Sequence, residues 1–340
     1  MKNARVSDSQ PKVVGVDVGG TKVAVAPVEG AEAVAPVEQP TDLTSPVALL
    51  AGIEACVREV EQRSGMPDAI GVGVPSQIDY ASGQVLSSVN IPLEGVPLRD
   101  ELGRRFGVPV YVDNDANCAA LAEAQLVEDA PAHELVMLTL GTGVGGGVVI
   151  DGRIFRGATG LGAELGHVVV ESNGPHCPGA CPNRGCLEAL CSGTALERDA
   201  TELGRDLPGS ALGRAFADKQ RVTGREAVAA AEDGDPDAKE LVSRLGRYLG
   251  VGIAGLVNTF EPEYVVVGGG LSRAAHLFLQ TAQDEAARRA LPALFERVEI
   301  GLARGGAHAG VIGAGVLALQ ESARKGDTAR GASAGAAEQT

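Results

Sequence analysis

Hydrophobic residues in this chain fall into short runs broken by glycine, interleaved with longer stretches of helical period. Val13–Val18 reads as a strand, Gly19-Gly20-Thr21-Lys22 as a turn, and Val23–Ala26 as a returning strand. The same arrangement recurs at Leu135–Leu140, a turn over Gly141–Gly147, and a strand Val148–Ile150 that ends in an Asp151-Gly152 turn. Val108–Val112 reads as a strand ending in Asp113-Asn114-Asp115-Ala116-Asn117, with a helix over Cys118–Leu126. Val265–Val267 runs into Gly268-Gly269-Gly270, and a helix is expected from about Ser272 or Arg273. The clearest helix is Asp235–Phe260. Asp235 caps it, Pro236 takes its first position, and Leu241, Leu245, Leu249, Ile253, Leu256 and Val257 recur at helical spacing. Gly246 and Gly250, four apart, would let another backbone come close. Strands alternating with helices point to an α/β fold.

The two glycine turns occupy corresponding places in two halves of the chain. Glycine lets a turn approach a ligand closely and aim its N–H groups at an anion. A pair of such turns facing across a cleft suits the phosphates of a nucleotide. Gly141, Gly143 and Gly146 also match a dinucleotide fingerprint, but that motif needs a helix to follow, and here a strand follows. The first turn fails as a P-loop, because Gly20 is followed by Thr21-Lys22.

A length of 340 residues predicts two domains. Aromatic residues are only 3% of the chain, with no tryptophan, so the core must be aliphatic. The net charge of −15, with no basic block, argues against nucleic acid as a partner. No apolar run is long and clean enough to span a membrane. No signal peptide opens the sequence, so a cytoplasmic protein without a disulfide framework is expected. The first residues, 1–11, read as a flexible N-terminus and 321–340 as a disordered tail.

Two clusters carry chemistry. Cys177, Cys181 and Cys186 lie within ten residues, and His167 precedes them, so four ligands of the kind zinc takes are available. The histidine would close the site from a preceding strand. His176 is a rival ligand. Cys56, Cys118 and Cys191 are scattered and read as small buried residues. The second cluster is the run Asp113-Asn114-Asp115-Ala116-Asn117. One residue would suffice to cap the helix, so a carboxylate is left over that can serve as a general base toward an alcohol.

Together, Asp17-Val-Gly-Gly-Thr-Lys22, Asn114-Asp115-Ala-Asn117, Leu140–Gly147, Gly162-Ala-Glu164-Leu-Gly-His167, Gly185-Cys186-Leu-Glu188 and Gly268-Gly-Gly270 resemble the ROK family of bacterial sugar kinases and repressors, most closely its glucokinases. The resemblance runs from about Val13 to Leu319. It implies an actin-like (ribonuclease H-like, duplicated) two-domain fold with a nucleotide and sugar cleft. The small domain would cover residues 12–116, completed by a C-terminal helix at about 308–320, and the large domain 117–307 with the zinc motif. It implies ATP-dependent phosphorylation of glucose at the 6-hydroxyl, with Asp115 as base. Asn90, Asn114, Asp115, Glu164, His167 and Glu188 would bind the sugar. Asp17, Gly19, Gly20, Thr21, Lys22, Gly141, Thr142, Gly143, Gly268, Gly269 and Gly270 would bind ATP, with Mg²⁺. A structural Zn²⁺ would sit on His167, Cys177, Cys181 and Cys186. A homodimer or homotetramer is implied.

The sequence departs from the family in three places. Three residues, not one, separate Cys177 from Cys181; Ser76 stands where the family has glycine after Pro75; and Glu94-Gly95 replace an aromatic. Another hexose kinase of the family, acting on N-acetylmannosamine, N-acetylglucosamine, fructose or allose, is the alternative. A sugar-sensing repressor would carry a helix-turn-helix domain ahead of the first glycine turn, and only sixteen residues precede Asp17.

Overall fold

The structure, a computed structural model, describes residues 11–127, 130–179 and 181–337, with side chains in the last helix as far as 324. The expected flexible N-terminus lies, but for Pro11, outside the described residues. In chain order the first elements are β1 (Val13–Val18), β2 (Lys22–Glu29), β3 (Glu32–Ala33), β4 (Val37–Pro40), α1 (Pro46–Ser64), β5 (Ala69–Val74), β6 (Gln77–Asp79), β7 (Gln84–Ser87), α2 (Leu98–Phe106), β8 (Val110–Asn114) and α3 (Asp115–Leu126). There follow β9 (Leu135–Leu140), β10 (Val144–Ile150), β11 (Arg153–Ile154), α4 (Leu187–Cys191), α5 (Gly193–Asp206), α6 (Ala211–Lys219), α7 (Gly224–Glu232), α8 (Pro236–Phe260), β12 (Tyr264–Gly268), α9 (Leu279–Arg289), α10 (Pro292–Phe295), β13 (Glu299–Leu302) and α11 (Ala309–Ala337).

Two compact units result. The first comprises the described parts of Met1–Leu126, Arg156–Leu161 and Gly305–Thr340; the second comprises those of Val127–Phe155 and Gly162–Arg304. The first unit therefore keeps α3, which a boundary at 116 would have given to its neighbour. The reason is packing. Gly313 of α11 has no room for a side chain, since a Cβ there would stand 1.6 Å from the Cys118 carbonyl oxygen of α3.

Each unit centres on one sheet, and the two sheets repeat one plan. In the first the order is β3-β2-β1-β5-β8, with β4 also on β2; in the second it is β11-β10-β9-β12-β13. Both begin with an antiparallel hairpin, β1 with β2 and β9 with β10, and both continue through parallel pairs, β1-β5-β8 and β9-β12-β13. Each glycine turn joins the first two strands of its own sheet. This is the duplicated architecture read from the sequence.

The parallel strands β1, β5, β8, β9 and β12 are buried along nearly their whole length, as strands covered on both faces must be, whereas the edge strand β13 is not. The core is aliphatic as expected, with Phe106, Tyr111 and Phe278 its only fully buried aromatics among the described residues. The bare backbones of Gly15 and Gly71 let α11 lie directly on the first sheet: added Cβ atoms would approach the Val311 and Ala314 carbonyl oxygens to 1.9 and 1.7 Å. Gly71→Val should therefore destabilise the protein by at least ~2 kcal/mol, the usual range for overpacking against atoms that cannot yield. Denaturant unfolding will measure it.

Helix α8 is capped by Asp235, whose Oδ1 accepts from Asp237 N and Ala238 N at 3.1 and 3.0 Å. Gly246 and Gly250 admit α9 and the residue before it, with Cβ positions 2.7 and 2.5 Å from the Phe278 and Ala282 carbonyl oxygens. Three expectations need correction. The strand after the second glycine turn starts at Val144, so Gly145–Gly147 are strand residues. The triple glycine leads first into a 3-10 segment, Gly270–Leu277, and α9 starts only at Leu279. The segment from 321 continues α11 as far as Ala337; 338–340 lie outside the described residues. Among the described residues no helix is long and apolar enough to cross a membrane.

Candidate active site and metal centre

In the first unit, β8 delivers its polar run to the start of α3, and each residue takes a separate task. Asn114 caps the helix: its Oδ1 accepts from Ala116 N at 2.9 Å, and its Nδ2 donates to the Ser76 carbonyl at 3.3 Å. Asp113 is buried and paired with Arg156, Nε to Oδ2 at 2.6 Å. Its Oδ1 accepts from Asn114 N and from Asn117 Nδ2, both at 2.8 Å. Asp115 is left half-buried at the first helical position, with no ion pair among the described residues. Its Oδ1 accepts from the adjacent Ala116 N–H at 2.9 Å. Burial holds its pKa above the ordinary carboxylate value, partly offset by that backbone hydrogen bond.

Asp17, near the end of β1, lies against the start of α11. A Cβ on Gly310 would meet the Asp17 carboxyl carbon at 2.5 Å. Burial and the Asp115 charge raise Asp17 to about 6, with Lys22 opposing. The two carboxylates thus belong to one electrostatic cluster. The first glycine turn is pinned by Thr41, whose Oγ1 donates to the Gly19 carbonyl at 2.7 Å and whose N donates to the Thr21 carbonyl at 3.1 Å. Lys22 Nζ donates to Glu38 Oε1 at 2.5 Å. Asn90 is exposed and stands beside Gly20. Its loop is tied to the β8 end through Ser76, whose Oγ donates to Ser88 Oγ at 2.9 Å while Ser88 Oγ donates to the Ile91 carbonyl at 2.8 Å. Ser76, the departure from the family pattern, is thus a link between Asn114 and the Asn90 loop.

In the second unit, the Gly141-Thr142-Gly143 turn is closed by a Gly141 N to Gly143 carbonyl hydrogen bond of 2.9 Å. The start of α5 holds it from outside: Gly193 N donates to the Gly141 carbonyl at 2.7 Å, and Thr194 Oγ1 to the Thr142 carbonyl at 2.9 Å. Gly269 has φ +83, and a Cβ there would strike the Leu140 carbonyl oxygen at 2.4 Å, so the triple glycine sits directly beside the second turn. Gly270 faces open space. The sequence's second and third glycine sites therefore form one bare backbone surface.

His167, Cys177, Cys181 and Cys186 each offer one ligand atom, and those atoms all lie within 4.8 Å of one another. Sulfur ligands about 2.3 Å from a tetrahedral ion are ~3.8 Å apart, so the set fits a four-coordinate metal. His167 ends a 3-10 turn, Leu165–His167, rather than a strand, and its Nδ1 stands 3.8 Å from Cys177 Sγ. His176 is not a member: its Nε2 lies 2.7 Å from Arg184 Nη1. The longer loop after Cys177 still brings that thiol into the cluster, although Ala180 lies outside the described residues. The remaining cysteines, Cys56, Cys118 and Cys191, are buried as expected.

Glu188 connects the cluster to the second glycine turn. Its Oε2 accepts from Val144 N at 2.9 Å, and its Oε1 accepts from Cys177 Sγ at 3.4 Å. Gly143 has no room for a side chain beside it, a Cβ there falling 2.3 Å from Glu188 Oε2. Burial pushes the Cys177 thiol up to about 12. Glu164 is exposed, and its carbonyl accepts from His167 N at 3.0 Å.

Sequence reasoning missed Thr41, Glu38, Thr194 and Arg156. Each acts through partners distant in sequence. Only the surplus of polar groups at 113–117 hinted that a buried counter-ion was needed.

The chain is similar along most of its length to known sugar kinases. A glucokinase from Halalkalibacterium halodurans is 36% identical over 314 residues, 91% of this chain and 95% of the relative. The crystal structure of a ROK hexokinase from Thermus thermophilus superposes with a TM-score of 0.81 at 38% identity, covering 92% of this chain and 99% of that one. A ROK glucokinase from Streptomyces griseus, crystallised with glucose and AMPPNP, gives a TM-score of 0.72 at 32% identity over 91% of this chain and 99% of its own. The fold is the actin-like two-domain sugar kinase fold. Since the pattern of the ROK family matches residues 13–321, taking in both glycine turns, the acid at the start of α3 and the His/Cys cluster, this chain belongs to the ROK family.

Proposed function

We propose that the protein phosphorylates glucose at its 6-hydroxyl with ATP, giving glucose 6-phosphate and ADP. The observation that carries the reading is the division of labour at β8–α3. Capping goes to Asn114 and ion pairing to Asp113, so Asp115 remains as a half-buried carboxylate with a raised pKa. Such a group suits general-base work. Full-length similarity to glucokinases supports the choice of substrate.

In this reading Asp115 takes the proton of the 6-hydroxyl as the oxygen bonds to the γ-phosphorus. The bond from that phosphorus to the bridging oxygen breaks, and ADP leaves. Asn90, Asn114, Glu164, His167 and Glu188 hold the remaining hydroxyls. His167 meets the cysteine cluster through Nδ1, which leaves Nε2 for a substrate hydroxyl. Asp17, Gly19, Gly20, Thr21, Lys22, Gly141, Thr142, Gly143 and Gly268–Gly270 serve ATP, their N–H groups and bare backbone suiting phosphates and a flat ring. Bound Mg²⁺ would neutralise phosphate charge. Zinc on His167, Cys177, Cys181 and Cys186 would fix the loop that carries His167 and, two residues after Cys186, Glu188.

A panel of hexoses with ATP and Mg²⁺ tests the substrate. Charged and imidazole acceptors suit adjacent free hydroxyls, and a site built to bind a hydroxyl rejects substrates that lack it. kcat/KM for glucose should exceed that for N-acetylglucosamine and N-acetylmannosamine by at least ~10²-fold, about 2.7 kcal/mol of discrimination. Equal turnover of an N-acetylated hexosamine would reject glucose as the substrate and leave the kinase assignment standing.

A further inference from the structure

One guanidinium holds the polar run of β8 from the side, and the reaction as proposed makes no use of it. Arg156 pairs with Asp113 at 2.6 Å, and its Nη1 lies 3.5 Å from Glu321 Oε1 of α11. Its guanidinium covers the Tyr80 ring at 3.8 Å from the centroid. The Arg156 and Asp113 side chains are only 12% and 4% exposed. Two carboxylates and an aromatic face thus surround one cation, a setting that favours the planar fork of arginine over lysine.

The residue is seated firmly. It opens the short segment Arg156–Leu161, which belongs to the first unit although the chain on either side belongs to the second. Tyr80 N donates to the Thr159 carbonyl at 3.3 Å. Gly160 lies so close to β6 that a Cβ would stand 2.7 Å from the Ile78 carbonyl oxygen. Backbone contacts therefore fix where the guanidinium can be.

The consequence falls on Asp115. The oxygen of Asp113 not facing Arg156 accepts from Asn114 N and Asn117 Nδ2, one residue before Asp115 and two after it. This carboxylate staples the strand end to the first turn of the helix across the acid. If Arg156 is lost, a buried carboxylate is stranded without a counter-ion, and it must protonate or swing away. Either change loosens the staple. A misplacement of about 1 Å at a reacting group can cost ~10²-fold in rate.

We propose that Arg156 is a positioning residue: by clamping the Asp113 carboxylate it fixes the direction in which Asp115 projects. This rests on Asp115 being the base. A residue that merely stabilised the unit would lower the amount of folded enzyme and leave the kinetic constants of the folded fraction alone.

Steady-state kinetics of R156M, R156K and the double variant D113N/R156M, beside D115N, test it on protein shown by circular dichroism to be folded. R156M should lose about 10²-fold in kcat while KM for the hexose changes less than ~3-fold. R156K should recover at least ~5-fold of that loss by restoring the counter-ion. D113N/R156M should exceed R156M in kcat, because no charge is stranded and an amide oxygen can still accept from Asn114 N. Folded R156M with kcat near wild type, or a double variant no better than R156M, overturns the proposal. If R156M does not fold, the double variant decides alone: reduced kcat at unchanged KM supports the clamp, and wild-type kcat overturns it. D115N at full kcat would instead remove the base assignment on which the clamp rests, whereas inactive D115N beside fully active R156M sinks the clamp only.

Discussion

Asp115→Asn should lower kcat by roughly 10²–10⁴-fold, the usual worth of a positioned general base. Hexose affinity should change far less, because the amide keeps the shape of the carboxyl and its oxygen can still accept from Ala116 N. The pH profile supplies an independent check. A base works in its unprotonated form, and burial raises Asp115 above the ordinary carboxylate value. Wild-type kcat/KM should therefore decline as pH falls through that raised pKa. Asp17, at about 6, takes up a proton in the same direction and steepens the fall. An acid limb confined to ordinary carboxylate values, or D115N with near-wild-type kcat, would remove Asp115 from the role.

Much of this was legible because glycine and aliphatic runs mark strand–turn–strand units plainly. Both hairpins, Val13–Ala26 and Leu135–Ile150, could be read from period and turn chemistry, and so could the capped helix starting at Pro236. What escaped depended on contacts distant in sequence. The Gly145–Gly147 stretch looks like a turn in isolation. It is a strand because β10 pairs with β9 from Val144 onward, and because Leu165 packs where a Cβ on Gly146 would be, 2.7 Å away. The tail beyond 320 lacks an apolar stripe and reads as disordered, yet it continues a helix already begun at Ala309. At the candidate site the surplus of polar residues at 113–117 was visible. Which of them was spare was not, because Asp113 is claimed by Arg156, 43 residues further on. In the cysteine motif the spacing left His176 and Cys177 as rivals. His176 engages Arg184, whereas Cys177 faces His167, a difference that the spacing alone does not carry.

Cys186→Ser should abolish metal binding and, with it, most activity. Cys186 is fully buried and is one of four ligand atoms within 4.8 Å of each other, so no solvent-exposed group can replace it. Purified wild-type protein should contain about one zinc per chain, in line with four-ligand structural sites. Activity should fall because the cluster holds His167 and, two residues after Cys186, Glu188, whose Oε2 accepts from the Val144 N–H of the second glycine turn. A loop released from the metal frees both His167 and that carboxylate. Stability supplies a readout apart from turnover. Free metal at ~10³ times its Kd stabilises the folded state by about 4 kcal/mol. For a unit of 150–250 residues that corresponds to roughly 8–16 °C in Tm, lost on chelation and regained on adding zinc. His176→Ala should keep the metal, since that ring is committed to Arg184, whereas Cys177→Ser should lose it. Metal retained by Cys177→Ser and lost by His176→Ala would exchange the two ligands, and fully active wild-type protein without zinc would remove the metal from the account altogether.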